Sequence, residues 1–147
     1  MSRGFVLPSQ ISPPIVAAAS AVSAQGSSYV ATSQSTASTS YVGLATAQTV
    51  TLTTGTQVLV IITANMEQTA VGQQTSASFA VSGATTIASS DAYRMRFNQP
   101  SASYDWTLTA VFPLTVTAGV NTFTMQYKVT GGTGVFLNRN ITVLAVS

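Results

Sequence analysis

The chain has 147 residues, enough for one domain, and 46% of them are hydrophobic, enough for a core. Only 5% are charged, five cations against three anions, giving a net charge of +2; this excludes a nucleic-acid footprint, which needs clustered Lys and Arg, and the hydrophobic content excludes a disordered chain. With no cysteine and no histidine, disulfides, thiol chemistry, the usual general base and the commonest metal ligand are excluded as well.

Serine and threonine fill the place that charge leaves. A surface so poor in ions is weakly protected against association. It must be covered with hydroxyls, covered by other subunits, or both, which points to an assembly.

Residues 1–26 differ from the rest. Pro8, Pro13 and Pro14 interrupt them, and no strand alternation is present. The Pro13-Pro14 pair favours an extended, polyproline-like path. The apolar run Ile15–Ala19 is shorter than the 7–15 residues of a secretory leader's core, so an arm is expected rather than a signal peptide. Apolar residues fall in small clusters at Phe5, Val6 and Leu7, at Ile11, and at Ile15 and Val16. Such a segment cannot bury itself and needs another surface to dock on. Residues 27–40 read as a Ser/Thr/Ala linker, with room for a short first strand near Ser28–Ala31.

From Tyr41 the pattern is strand after strand. Gln48–Thr53 alternates, with Val50 and Leu52 on one face. Thr56–Met66 puts Val58, Val60, Ile62 and Ala64 on one side and Leu59 and Ile61 on the other, which predicts a central strand covered on both faces. Thr75–Ser82 carries Phe79 and Val81 inward. Ala92–Asn98 turns Tyr93, Met95 and Phe97 in and Arg94 and Arg96 out. Tyr104–Phe112 turns in Tyr104, Trp106, Leu108, Ala110 and Phe112. Val120–Thr130 buries Phe123, Met125, Tyr127 and Val129, and Gly134–Val146 returns with Val135, Leu137, Ile141, Val143 and Ala145. Seven or eight short strands with period-2 alternation predict an all-β, antiparallel β-sandwich or barrel. The expected domains are an extended arm and linker over 1–40 and a β-sandwich over 41–147.

Chemistry is sparse. The acids are Glu67, Asp91 and Asp105; Asp91 reads as a turn residue and Asp105 as a strand-surface residue rather than a catalytic pair. A calcium site at Asp91 would lack a carboxylate cluster. No G-x-S-x-G occurs, and a Ser–Lys dyad would need Lys128, which falls on a polar strand face. Tyr93, Trp106 and Tyr127 could line a sugar-binding surface but share the inward set of their strands. Asn140-Ile141-Thr142 is a glycosylation sequon inside a predicted strand. The chain is therefore expected not to be an enzyme and to need no cofactor or metal. Arg94, Arg96 and Arg139 read as solubilising face or edge charges, or, with Asp105 and Lys128, as polar contacts between subunits. Arg94 or Arg96 would pair with Asp105 if their strands were adjacent.

Tyr41–Met66 (YVGLATAQTVTLTTGTQVLVIITANM), SFAVSGATT at Ser78–Thr86, SDAY at Ser90–Tyr93 and Val120–Val146 together resemble the jelly-roll domain of tailed-bacteriophage virion proteins. That family includes capsid decoration (cement) proteins and tail-fibre tips, commonly trimeric. The resemblance spans Tyr41 to Val146, and no fibrous shaft is expected before it. It implies a homotrimeric decoration protein on the capsid surface of the virion, with the major capsid protein as partner. Arg3, Phe5, Val6, Leu7, Ile11, Ile15 and Val16 would be the gripping residues of the arm. No nucleic acid, membrane or small-molecule substrate is expected. A receptor-binding tip of a tail or head fibre is the alternative.

Overall fold

A computed structural model describes residues 21–100 and 104–146. The described residues form nine strands and one short 3-10 turn: β1 (Val22–Val30), β2 (Gln34–Thr36), β3 (Thr49–Thr54), β4 (Gln57–Gln68), β5 (Gln74–Gly83), the turn Asp91–Tyr93, β6 (Met95–Asn98), β7 (Asp105–Thr115), β8 (Gly119–Val129) and β9 (Gly134–Val146). They build two antiparallel sheets. Sheet A has the order β1-β9-β4-β7, with β2 also paired to β9; sheet B has the order β3-β8-β5-β6.

The pairing is nested. β1 pairs with β9, β3 with β8, β4 with β7 and β5 with β6. Successive pairs alternate between the sheets, as when one long hairpin is rolled around itself. This is the eight-stranded jelly roll of two Greek keys, and β2 is an addition to it. The antiparallel sandwich expected from alternation is thus the observed fold.

The core follows the period of two. β4 buries Val58, Val60, Ile62, Ala64 and Met66, and β8 buries Phe123, Met125, Tyr127 and Val129 against them. β5 adds Ala77, Phe79 and Val81. Tyr93 closes one side, its ring 5.7 Å from Phe79 and 6.1 Å from Phe112. Burying side chains of this size contributes about 1.5–3 kcal/mol each before ordering entropy is subtracted.

The sandwich begins earlier than the sequence pattern indicated. Residues 22–30 and 34–36, read as arm and linker, belong to sheet A. β1 hides its signal because its inward residues are Ala24, Gly26, Ser28 and Val30, too small to show alternation. Gly26 is required by close approach: a Cβ there would lie 2.7 Å from Val50 Cγ1 on the opposite sheet. The segment before β3 also lies on the sheet. Val42 exchanges backbone hydrogen bonds with Tyr127, and the Val129 amide donates to the Ser38 carbonyl, so the free edge of β8 is satisfied beyond the end of β3.

β9 changes face partway along. Thr63 pairs with Asn140 and Asn65 with Leu137, so two residues of β9, Asn138 and Arg139, oppose one of β4, Ala64. This is a β-bulge. Asn138 within it has φ 48°, the left-handed region that Asn tolerates better than most residues. Before the bulge Phe136 faces the core; after it Arg139, Ile141, Val143 and Ala145 do. Val135 and Leu137, expected inward with Ile141, therefore face outward. Tyr104 and Trp106 also depart from expectation. They lie at the start of the edge strand β7 and are about half exposed.

Two variants test the bulge. Both lose the hydrogen bond that the Tyr29 hydroxyl donates to Asn138 Oδ1, so their difference isolates the backbone. Asn138→Ala is expected to unfold at lower denaturant than Asn138→Gly, by about 1 kcal/mol in chemical denaturation.

Candidate functional site

Charge in the described domain is gathered into a few places, and each has a different environment. The first is on the outer side of sheet B. Asp91 opens the 3-10 turn and accepts from Lys128 Nζ at 2.6 Å and Arg94 Nη1 at 2.9 Å. The Tyr41 hydroxyl donates to the same carboxylate at 2.9 Å, and Lys128 Nζ stands 4.7 Å from the Tyr41 ring centroid, within cation–π range. Ser78 Oγ donates to the Ser90 carbonyl, and the Ser89 hydroxyl donates to Gln126 Oε1. Residues 84–94 are thereby clamped over β5 and β8. Asp91 is held below the usual carboxylate range, first by the hydrogen bond from Lys128 and then by the one from Tyr41. Burial, followed by the bond to Asp91, pushes the Tyr41 phenol well above its ordinary value.

This corrects one expectation. Arg94 pairs with Asp91 within its own turn rather than with Asp105, because β6 lies in sheet B and β7 in sheet A. Asp105 instead accepts from Asn65 Nδ2 at 3.0 Å, with Glu67 directly opposite on β4. Arg96 faces outward and exposed on β6, the short edge strand of sheet B, where a charge discourages edge pairing.

The second place is internal. Arg139, read from sequence as a face charge or subunit contact, is fully buried, because the bulge turns it into the sandwich. Nη2 donates to Gln34 Oε1 at 2.8 Å, and Nη1 lies at the limit of a hydrogen bond, 3.5 Å, from the Tyr127 hydroxyl. The guanidinium carbon is 5.4 Å from the Tyr127 ring centroid. Nε has no partner among the described residues, and no described carboxylate pairs with Arg139. Tyr127 donates to Gln48 Oε1 at 2.9 Å, while Gln48 Nε2 donates to the carbonyls of Ser28 and Arg139. Gln34 is tied on to Thr46 through its amide in both directions. Burial pushes the Tyr127 phenol up to about 12, against the lowering effect of the Arg139 charge. A buried cation is costly unless satisfied; guanidinium suits the place because it is weakly hydrated and stacks on aromatic faces. Its work is to brace β2 and the 37–48 segment against the core.

The third place lacks charge. The outward residues of sheet A align across the strands: Leu59 beside Pro113 and Leu144, Ile61 beside Val111 and Thr142. Thr63 and Thr109 form a hydroxyl pair at 2.9 Å. A shallow depression lined by Gln25, Gly26, Ser27 and Thr142 borders this stripe. The only charges on the outward positions of these strands, Glu67 and Asp105, sit together at one end. Leu59 and Ile61 were expected to be covered on both faces, and both stay partly exposed.

The arm residues Arg3, Phe5, Val6, Leu7, Ile11, Ile15 and Val16 lie outside the described residues. No family model and no curated protein matches the chain. Its fold is similar to that of a chain in the structure of infectious bursal disease virus, Gt strain, at 10% identity with a TM-score of 0.62. The likeness covers 99% of this chain and 38% of that one, so the present chain spans well under half of the protein it resembles.

Two tests separate these roles. Asp91→Asn is expected to lower the thermal midpoint at neutral pH by only about 1–3 °C, because the carboxylate is half exposed. Its depressed pKa means that the folded chain stays ionised to lower pH than the unfolded one. The stability it adds is therefore present above the unfolded carboxyl's pKa and lost as pH falls through the folded value. The gap between variant and wild type should close in acid melts. Arg139→Ala should cost about 2–4 kcal/mol in denaturation, from the cavity and from the hydrogen bonds lost at Gln34 Oε1 and the Tyr127 hydroxyl. Arg139→Met, which keeps most of the volume and removes the charge, should cost less than half as much.

Proposed function

We propose that this chain is a structural virion protein, a capsid decoration (cement) protein of a tailed bacteriophage that sits on the outer capsid surface and stabilises the head. It acts as a homotrimer, performs no catalysis and needs no cofactor or metal. The observation that carries the reading is a jelly roll with few charges, of which Arg94 and Lys128 are paired with Asp91 and Arg139 is buried, leaving Arg96, Glu67 and Asp105 as the unpaired described charges on an exterior suited to being covered by neighbours. The fold likeness to a chain of a virus supports it, as does the sequence resemblance to phage virion domains.

In this reading the major capsid protein is the partner, and the segment before β1 makes the grip. Twenty residues, extended, can span up to about 70 Å. They join the body at Val22, on the edge strand of sheet A beside Val146. Each of Phe5, Leu7, Ile11, Ile15 and Val16 that becomes buried on the capsid contributes about 1.5–3 kcal/mol, offset by the cost of ordering the arm.

A second reading has one observation in its favour. Tyr104 and Trp106 stand about half exposed at the start of β7, and exposed aromatics can stack on a sugar. That would suit a receptor-binding tip of a tail or head fibre.

Deleting residues 2–20, which stops short of β1, is the test. The truncated protein is expected to keep its thermal midpoint and to lose at least tenfold in affinity for undecorated heads in a sedimentation binding assay. Undiminished binding would refute the arm's role. Glycan binding by the wild type that Trp106→Ala abolishes, with no binding to heads, would replace the decoration reading with the fibre tip.

A further inference from the structure

The strands at the margins of the two sheets are guarded unequally. β3 and β6 are short, with 6 and 4 residues, and β6 carries Arg96. β1 shifts register between Val22 and Ala24, and its Ser28 carbonyl already accepts from Gln48 Nε2. Short length, charge, broken register and cover all keep an edge from pairing with another chain. β7 is different. It runs for 11 residues at the margin of sheet A, and its register with β4 is unbroken. Between Asp105 and Pro113 it carries no charge.

One hydrogen bond sets the direction of its free groups. Just past β7, the Val116 N–H donates to the Thr56 carbonyl. Hydrogen-bonding direction alternates along a strand, so the even-numbered residues of β7 face β4 and the odd-numbered ones face away. Pro113 agrees, since its missing N–H falls on the open side. Asp105, Thr107, Thr109 and Val111 therefore present their N–H and C=O groups outward, and no described backbone group meets them.

We infer that β7 pairs antiparallel with β7 of a second copy, about a twofold axis at Leu108. The inference rests on the reading of the chain as an assembly protein. A twofold cannot close three copies, so this contact joins one trimer to the next and leaves the contacts within a trimer to other surfaces.

Only an extended backbone offers alternating donors and acceptors at strand spacing, and the sequence of the edge is complementary to itself. With the axis at Leu108, Asp105 faces Val111 and Thr107 faces Thr109, and each such pair exchanges two hydrogen bonds. Pro113 falls just outside the paired stretch, where no N–H is needed. Thr107 and Thr109, both exposed, meet across the joint as Thr63 and Thr109 already do within one copy. On the opposite face Trp106 meets Ala110, which is small enough to leave the ring room, and Leu108 meets its own copy. Trp106 is 53% exposed in the single chain, and the pairing covers it. The two Asp105 residues stand about 20 Å apart along the joined strands, at roughly 3.4 Å per residue. That is well past the ~8 Å screening length at physiological salt, so the acids do not oppose the contact.

The chain has one tryptophan and no cysteine, which supplies two readouts. The first is tryptophan emission of the full-length protein over a hundredfold concentration range. The wild type should shift to shorter wavelength as concentration rises and Trp106 leaves water. Thr107→Pro removes one outward N–H without touching the ladder to β4. It should need at least tenfold higher concentration for the same shift while keeping its circular dichroism. Thr107→Val, which keeps the N–H, should follow the wild type. The second readout is a disulfide. Facing residues of a hydrogen-bonded pair have Cα atoms about 5.5 Å apart, within disulfide reach. Thr107→Cys mixed with Thr109→Cys and oxidised should therefore give a covalent dimer. If Thr107→Pro does not fold, the cysteine pair carries the test. Emission that does not move with concentration, a folded Thr107→Pro that associates like the wild type, or no disulfide in the mixture would overturn the proposal. Association through β7 by a chain that never binds heads defeats the decoration reading alone. Heads decorated by a chain that shows neither the emission shift nor the disulfide defeat this inference alone.

Discussion

The pairing of β4 with β9 through the middle of sheet A is the constraint on which the rest depends. β9 is hydrogen-bonded along both edges, to β4 on one side and to β1 and β2 on the other, and β4 is likewise held between β9 and β7. These two strands set the register of every other element in their sheet. A one-residue slip would exchange the faces of a strand, placing Leu59 and Ile61 in the core and Val60 and Ile62 outside. The register of β9 against β4 slips at Asn138. There the two halves of β9 obey opposite parity, and the chain gains a buried arginine as a result.

That arginine shows how the protein uses its few charges. Each cation of the described domain except Arg96 has an assigned neighbour: Arg94 and Lys128 share Asp91, and Arg139 is enclosed by Tyr127, Gln34 and Gln48. Neutral amides and hydroxyls do most of the remaining polar work, in pairs such as Thr51 with Thr122 and Asn121 with Thr54. Such bonds are short-range and insensitive to salt, unlike exposed ion pairs. A body held this way is stiff and presents little electrostatic repulsion to a second copy, which suits dense packing better than free diffusion.

The sequence was most legible where large apolar residues alternate without interruption. β4, β5 and β8 stand where the pattern of Val58 to Met66, Phe79 to Val81 and Phe123 to Val129 placed them, and their inward sets are as expected. Legibility failed for stated physical causes. β1 packs through Gly26 and Ser28, which carry no hydrophobic signal, so only a short strand near Ser28–Ala31 was expected where the strand runs from Val22 to Val30. In β9 the bulge reversed the face after Leu137, and only Asn at 138, a residue at ease with positive φ, hinted at it. Arg139 was misplaced by the same step, and Arg94 was matched to the wrong acid because sheet membership cannot be read from alternation. Trp106 follows the inward parity of β7 yet lies at an edge that the opposite sheet does not reach. The threonine-rich outer faces were visible in the sequence, but not that residues 84–94 would overlie one of them.

Under the proposed decoration role, the sandwich is surrounded by the capsid and by neighbouring copies. The most direct measurement is an electron cryomicroscopy map of the intact particle that carries it. The account predicts a sandwich-shaped density, repeated in clusters over the outer surface of the head. A complete particle with no such density on it, or the protein recovered only as a free monomer from the same cells, would contradict it.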